Sequence, residues 1–120
     1  MQVKVLQATH PEMIVGLDSA ALRRHYLATD LFVAGDIRLC YSHVERLIVG
    51  GAQPRDRALQ LEAVREAGSS PFLARRELGV INIGGPGRIT VDGREYGMKP
   101  RDGLRSEERR GGEQCRSGWW

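Results

Sequence analysis

Two clusters in this chain carry residue types able to do chemistry. His43 and Glu45 stand two residues apart in Tyr41-Ser42-His43-Val44-Glu45-Arg46. On an extended chain a period of two puts both side chains on one side. Such a pair could act as acid and base, or ligate a metal ion. The second cluster is Arg75-Arg76-Glu77. Arginine grips a carboxylate through a bidentate fork, so this cluster could clamp an acidic substrate. Each cluster also has a plainer reading. His43 reads equally as a structural or loop histidine, and the Arg–Glu run as salt bridges at a surface or a subunit interface.

The remaining candidates are thinner. His25 sits one residue from Tyr26 in a helical pattern, where a solvated histidine is the simple reading, and His10 lies in an irregular arm. A catalytic zinc needs about three converging protein ligands with one position left open. Spacings such as HxH, HExxH or CxxC do not occur, and Arg46 adds positive charge beside the His43–Glu45 pair. The residues themselves therefore predict no metal site. Cys40 and Cys115 are too few and too far apart for a disulfide framework; Cys40 in its apolar run reads as a small buried side chain. Gly84-Gly85-Pro86-Gly87 is no phosphate cradle, because no helix pattern follows it.

The elements that would hold these residues are mostly strands. Arg75 to Tyr96 reads as two β-hairpins in series. Leu78, Val80, Ile81 and Ile83 form a run rich in β-branched residues, and Gly84–Gly87 breaks it. Ile89 and Val91 alternate with Arg88 and Thr90. Asp92-Gly93 is a preferred two-residue hairpin turn, since both central residues must take φ > 0. Upstream, Met1 to Leu17 reads as irregular with a brief alternation at Val3 and Val5. Asp18-Ser19 predicts an N-cap and a helix from about Ser19 to Ala28. Leu31–Val33, Ile37–Tyr41 and Leu47–Val49 read as strands, the last buried and ended by Gly50-Gly51. Residues 58–67 fit a strand or a short helix. The predicted core is Leu47, Val49, Val80, Ile81, Ile83, Ile89 and Val91.

A chain of 120 residues suits one domain, and 41% hydrophobic content suits a globular one. No run approaches the ~20 apolar residues of a membrane span. The first residues lack the apolar core of a signal peptide, so a cytoplasmic location is expected, with no membrane partner. Net charge is +3. Four arginines and three glutamates from Arg105 onward leave +2 to the body. Acidic and basic residues are mixed throughout, so no nucleic-acid partner is expected. Binding through the basic tail would show as steeply salt-dependent affinity.

Two stretches, CYSHVERLIVGG and FLARRELGVINIGGPGRITVDGREY, resemble the 5-keto-4-deoxyuronate isomerase family, the 4-deoxy-L-threo-5-hexosulose-uronate ketol-isomerases. The resemblance runs from about Leu17, through LDSAALRRHYLATDLF, to Leu104. It implies a mostly β, cupin-like antiparallel sandwich or barrel, incomplete here, with a short N-terminal helix. It also implies a keto-uronate substrate from pectin degradation, a homo-oligomer at full length, and a zinc ion. In the family the zinc-binding histidines and glutamate lie in a C-terminal half that this chain does not match, so no ligand is carried over and no zinc is expected in this chain. Residues 1–29 then form an arm with the short helix, and 30–104 the cupin-like β domain. From Arg105 to Trp120 the chain departs from the family and resembles the translation of a sequencing adapter, from which Gly111, Glu113 and Gln114 differ. Residues 105–120 are therefore expected to be a non-native tail whose deletion leaves stability within ~0.5 kcal/mol. The implied function is the N-terminal fragment of the isomerase, inactive alone. The alternative is a non-catalytic cupin-like sugar-binding or oligomerisation module.

Overall fold

The computed structural model describes residues 1–68, 72, 73, 75–106 and 115–116, the last two as backbone only. It is mostly β, and its strands pair chiefly in antiparallel ladders. The chain divides into two compact units, Met1–Gly68 and Ser69–Trp120.

The first unit is a three-stranded sheet with two helices in one connection. Strand β1 (Gln2–Leu6) runs parallel to β2 (Ile37–Ser42), in the register Val3↔Leu39 and Val5↔Tyr41. β2 pairs antiparallel with β3 (Leu47–Ala52), so β2 is the central strand. Parallel neighbours need a long crossover. Residues 7–36 supply it and hold α1 (Pro11–Ile14) and α2 (Ser19–Tyr26). Met1 to Leu17 is therefore not an irregular arm. Three alternating positions were too short a signal for a strand that is fixed by its long-range partner.

Helix α2 begins as its sequence predicts: the Asp18 carboxylate accepts the Ala21 N–H at 2.7 Å, satisfying one of the free donors at a helix start. It ends at Tyr26 because Leu27 turns extended, at φ −103° and ψ 120°. Leu31–Val33 forms no strand. Asp30 takes φ 56°, and the Leu31 and Phe32 segment lies across Gly51. Only Ala34 makes a bridge, parallel to Gln53. Gly50 and Gly51 do not end β3 but continue it, to Ala52. Residues 58–64 have no regular structure, and the ambiguous stretch resolves to a single 3-10 turn, Arg65–Ala67.

In the second unit β4 (Leu78–Ile81) pairs antiparallel with β7 (Gly103–Ser106), and β5 (Gly87–Val91) with β6 (Arg94–Met98). The Asp92-Gly93 hairpin forms, with φ 48° and 78°, both positive as a type I′ turn demands. The predicted first hairpin does not. Gly84–Gly87 joins two sheets instead, because β4 takes β7 as its partner. Arg105 and Ser106 belong to that ladder, and β8 (Cys115–Arg116) pairs with them. Arg105 and Ser106, inside the range expected to be a non-native tail, therefore lie in a strand. Deletion from Arg105 would strip two residue pairs from β4.

Asn82, just past the end of β4, is tied to the loop that follows it and to the end of β6 with its next turn. Its backbone N–H donates to Asp102 at 2.9 Å, and its carbonyl accepts from Arg101 at 2.7 Å. Its side-chain amide donates to the carbonyls of Gly85 and Met98, at 2.9 and 3.1 Å, and accepts the Gly84 N–H at 3.0 Å. The facing turn, Lys99–Asp102, closes with Asp102 N–H on the Lys99 carbonyl at 3.0 Å. Pro100 takes its second position, and Arg101 its third at φ 73°. A positive φ there is the habit of glycine. Arg101→Gly is accordingly expected to raise stability by ~0.5–1 kcal/mol, read as an increase in the midpoint of urea unfolding.

The core differs from the predicted one. Buried apolar residues are Leu6, Ala21, Ile37, Leu39, Cys40, Tyr41, Val64, Phe72, Met98 and Leu104. Leu47, Val49, Ile81 and Ile83 are exposed, and Val80, Ile89 and Val91 only half-buried. Alternation reports which residues share a face of a strand. It does not report whether that face is covered. In the first unit the central position of β2 decides the matter: four of its six residues are buried, while edge strand β3 keeps Leu47 and Val49 open.

Candidate functional site

The His43–Glu45 cluster lies in the turn between β2 and β3, residues 43–46. Arg46 takes φ 52° there. The segment is not extended, so the period-two argument for a shared side fails. His43 instead closes the end of the sheet. Its backbone N–H donates to the Leu6 carbonyl at 2.9 Å, and its ring meets Tyr41 edge-on, with centroids 4.8 Å apart. Tyr41 is buried while His43 and Glu45 are exposed. The arrangement has the form of a loop histidine packed on a core tyrosine.

Arg75, Arg76 and Glu77 precede β4. Arg75 and Glu77 are exposed, and Arg76 is half-buried. Glu77 turns to β7, where its carboxylate accepts from Arg105 at 2.9 Å. That pair is open to water, so it adds little to stability. Glu77 thus belongs to a cross-strand ion pair, and Arg76 has an interaction of its own.

The other histidines are dispersed. His10 caps α1, its Nδ1 accepting the Glu12 N–H at 3.2 Å. His25 lies in the last turn of α2 beside Tyr26. Among the described residues no three His, Cys, Asp or Glu side chains are grouped to hold a metal ion. The donor set therefore does not fit the catalytic zinc that the family resemblance implies.

One charged centre was not singled out from the sequence. Asp36 receives the Met1 ammonium at 3.0 Å, the Arg38 guanidinium at 2.8 Å and the Ile37 N–H at 2.8 Å. The signal in sequence, an aspartate after a glycine at a strand start, is also that of any turn. The Met1 ammonium first, then the Ile37 N–H and the Arg38 charge, hold its carboxyl below the ordinary value, against the opposing effect of desolvation. A lowered folded-state value means the ionised form stabilises the fold. That contribution is complete at neutral pH and is lost as pH falls through the carboxylate range. The stability difference between this chain and Asp36→Asn is expected to stay constant between about pH 5 and pH 7 and to shrink below about pH 4. Urea unfolding at a series of pH values reads it.

Relatives place the chain. A 4-deoxy-L-threo-5-hexosulose-uronate ketol-isomerase 2 of Rhizobium meliloti is 48% identical over 95 residues, covering 79% of this chain and 34% of the relative. The ketol-isomerase of the same name from Lachnospira eligens is 44% identical over 102 residues, 85% of this chain and 36% of its own. That of Burkholderia cenocepacia is 48% identical over 96 residues, 78% and 34%. Over most of its own length the chain is similar to the 4-deoxy-L-threo-5-hexosulose-uronate ketol-isomerases. It spans about a third of the length of the curated relatives it matches. No family model matches it. Among the described residues no helix of this ketol-isomerase homologue is long and apolar enough to cross a membrane.

Proposed function

We propose that this chain is the N-terminal part of a ketol-isomerase acting on 4-deoxy-L-threo-5-hexosulose-uronate, in the cytoplasmic breakdown of pectin-derived uronates, and that it supplies scaffold to an enzyme that works as a homo-oligomer. The observation that carries the reading is identity of 43–48% to isomerases of that name over about a third of their length. The reaction moves a carbonyl along a sugar-acid chain. A proton leaves the carbon beside the carbonyl and is returned to the neighbouring position, through an enediolate that needs electrostatic support. Among the described residues no three metal-ligating side chains converge for that work, and zinc would be held by residues outside this chain. Within this chain Arg75 and Arg76 are the candidates for the substrate carboxylate. His43, Glu45 and Glu77 are the weaker candidates for polar contacts or proton transfer.

The test is a hybrid. The matching 95 residues of the Rhizobium meliloti relative are replaced by the corresponding residues of this chain, and isomerisation is assayed for the hybrid and for this chain alone. Turnover by the hybrid and none by the chain alone is expected. A folded hybrid without activity would support a non-catalytic sugar-binding or oligomerisation module instead. Turnover by the chain alone would overturn the division of labour. In an active hybrid, Arg75→Ala with Arg76→Ala should raise KM more than it lowers kcat; an unchanged KM would remove the clamp.

A further inference from the structure

β4 lies at the end of its sheet. Among the described residues it is hydrogen-bonded on one side only, in the order β4-β7-β8. Which of its backbone groups face outward follows from its partners. Asn82 bonds Asp102 and Arg101 through its backbone, and Leu78 N–H donates to the Ser106 hydroxyl at 3.1 Å. Antiparallel strands alternate inward-bonded and outward-facing residues. The N–H and C=O of Gly79 and Ile81 therefore point to the open edge. Natural edge strands are guarded by shortness, charges, proline or bulges, and β4 has only its four residues of length as a guard. β4 itself, LGVI, has no charge and no proline, and neither do residues 82–85 in the loop just beyond it. Ile81 and Ile83 are exposed at 66% and 71%. Ile81 stands opposite Gly103, which has no side chain to cover it. An uncharged apolar edge of this kind suits an added strand, whose main chain completes the ladder and whose apolar residues flank the isoleucines.

We propose that this edge receives an extended apolar segment from the two thirds of the ketol-isomerase sequence that this chain does not span. The inference rests on the reading of this chain as part of a longer isomerase. The occupant follows from length: the relatives carry about twice as much sequence outside the match as within it. The test compares this chain with the Rhizobium meliloti hybrid by amide hydrogen exchange at Gly79 and Ile81. Maleimide labelling of Ile83→Cys in a Cys115→Ser background gives a second readout, because Cys40 is only 3% exposed. Asn82 N–H, bonded to Asp102, is the internal control. At least tenfold slower exchange and labelling in the hybrid, with Asn82 unchanged, is the expected result. Equal rates in an active hybrid would overturn the proposal and leave the isomerase reading standing. Protection in an inactive hybrid would support the docked segment and count against the isomerase reading. Protection that appears in this chain alone and grows with its concentration would assign the edge to a second copy and overturn the proposal.

Discussion

Gly51→Ala is expected to cost about 3 kcal/mol or more, a large share of the ~5–15 kcal/mol that holds a domain folded. Gly51 is buried in β3. A Cβ there would run into the carbonyl oxygen of Leu31 and come within 2.9 Å of the Leu31 carbonyl carbon and of Phe32 Cδ1. Two of these three atoms are backbone, so no rotamer change relieves the clash. The segment carrying Leu31 is itself fastened further on. Gly35 N–H donates to the Gln53 carbonyl at 2.7 Å, and Gln53 N–H to that of Asp36 at 3.2 Å. Relief would require β3 and this strap to part. Gly50→Ala offers the comparison. Its Cβ would meet the end of the Leu39 side chain, which can turn, and the Arg38 carbonyl oxygen at 2.9 Å. A smaller loss of about 1–2 kcal/mol is expected. Urea unfolding of both variants checks the ranking. A Gly51→Ala protein within 0.5 kcal/mol of the parent would show that the strap does not lie on β3.

How much of this was readable in the sequence depends on the range of the interaction. Local chemistry was legible. Asp18 caps α2 through a bond three residues away, and Asp92-Gly93 makes its hairpin with both residues at positive φ. Partner choice was not. β4 reads as one arm of a hairpin through Gly84–Gly87, yet it pairs with a strand more than twenty residues on. β1 is a strand only because β2 lies beside it. Burial was the least legible. Ile81 and Ile83 are as apolar as Leu39, but Leu39 sits mid-sheet, Ile81 on an edge strand and Ile83 in the loop beyond it. The candidate site suffered likewise. His43 and Glu45 matched a strand period but occupy a turn, and Glu77 found its partner in Arg105, outside its own cluster.

Asn82→Ala is expected to cost about 2–3 kcal/mol, and Asn82→Asp as much or more at neutral pH. The amide makes three hydrogen bonds to backbone, two as donor and one as acceptor. Each is worth ~1 kcal/mol net, and a partner left buried without one costs more. Alanine loses all three. Aspartate keeps the acceptor for Gly84 N–H but turns a carboxylate toward the carbonyls of Gly85 and Met98. Two acceptors facing an anion disfavour the charged form, so this carboxyl should titrate above its ordinary value. The sign then follows. A raised folded-state value means the protonated form is the better tolerated one, and its advantage is lost as pH rises through that value. Relative to the parent at each pH, Asn82→Asp should therefore recover stability on acidification from pH 7 to pH 4, while Asn82→Ala should not. The parent must be followed alongside, because Asp36 weakens it in the opposite direction over the lower part of that range. Because Asn82 ties Gly84 and Gly85 to Met98, amide exchange in both variants should quicken first at residues 82–85 and 99–102. Parallel pH profiles for the two variants would mean that the side-chain amide does not face those carbonyls.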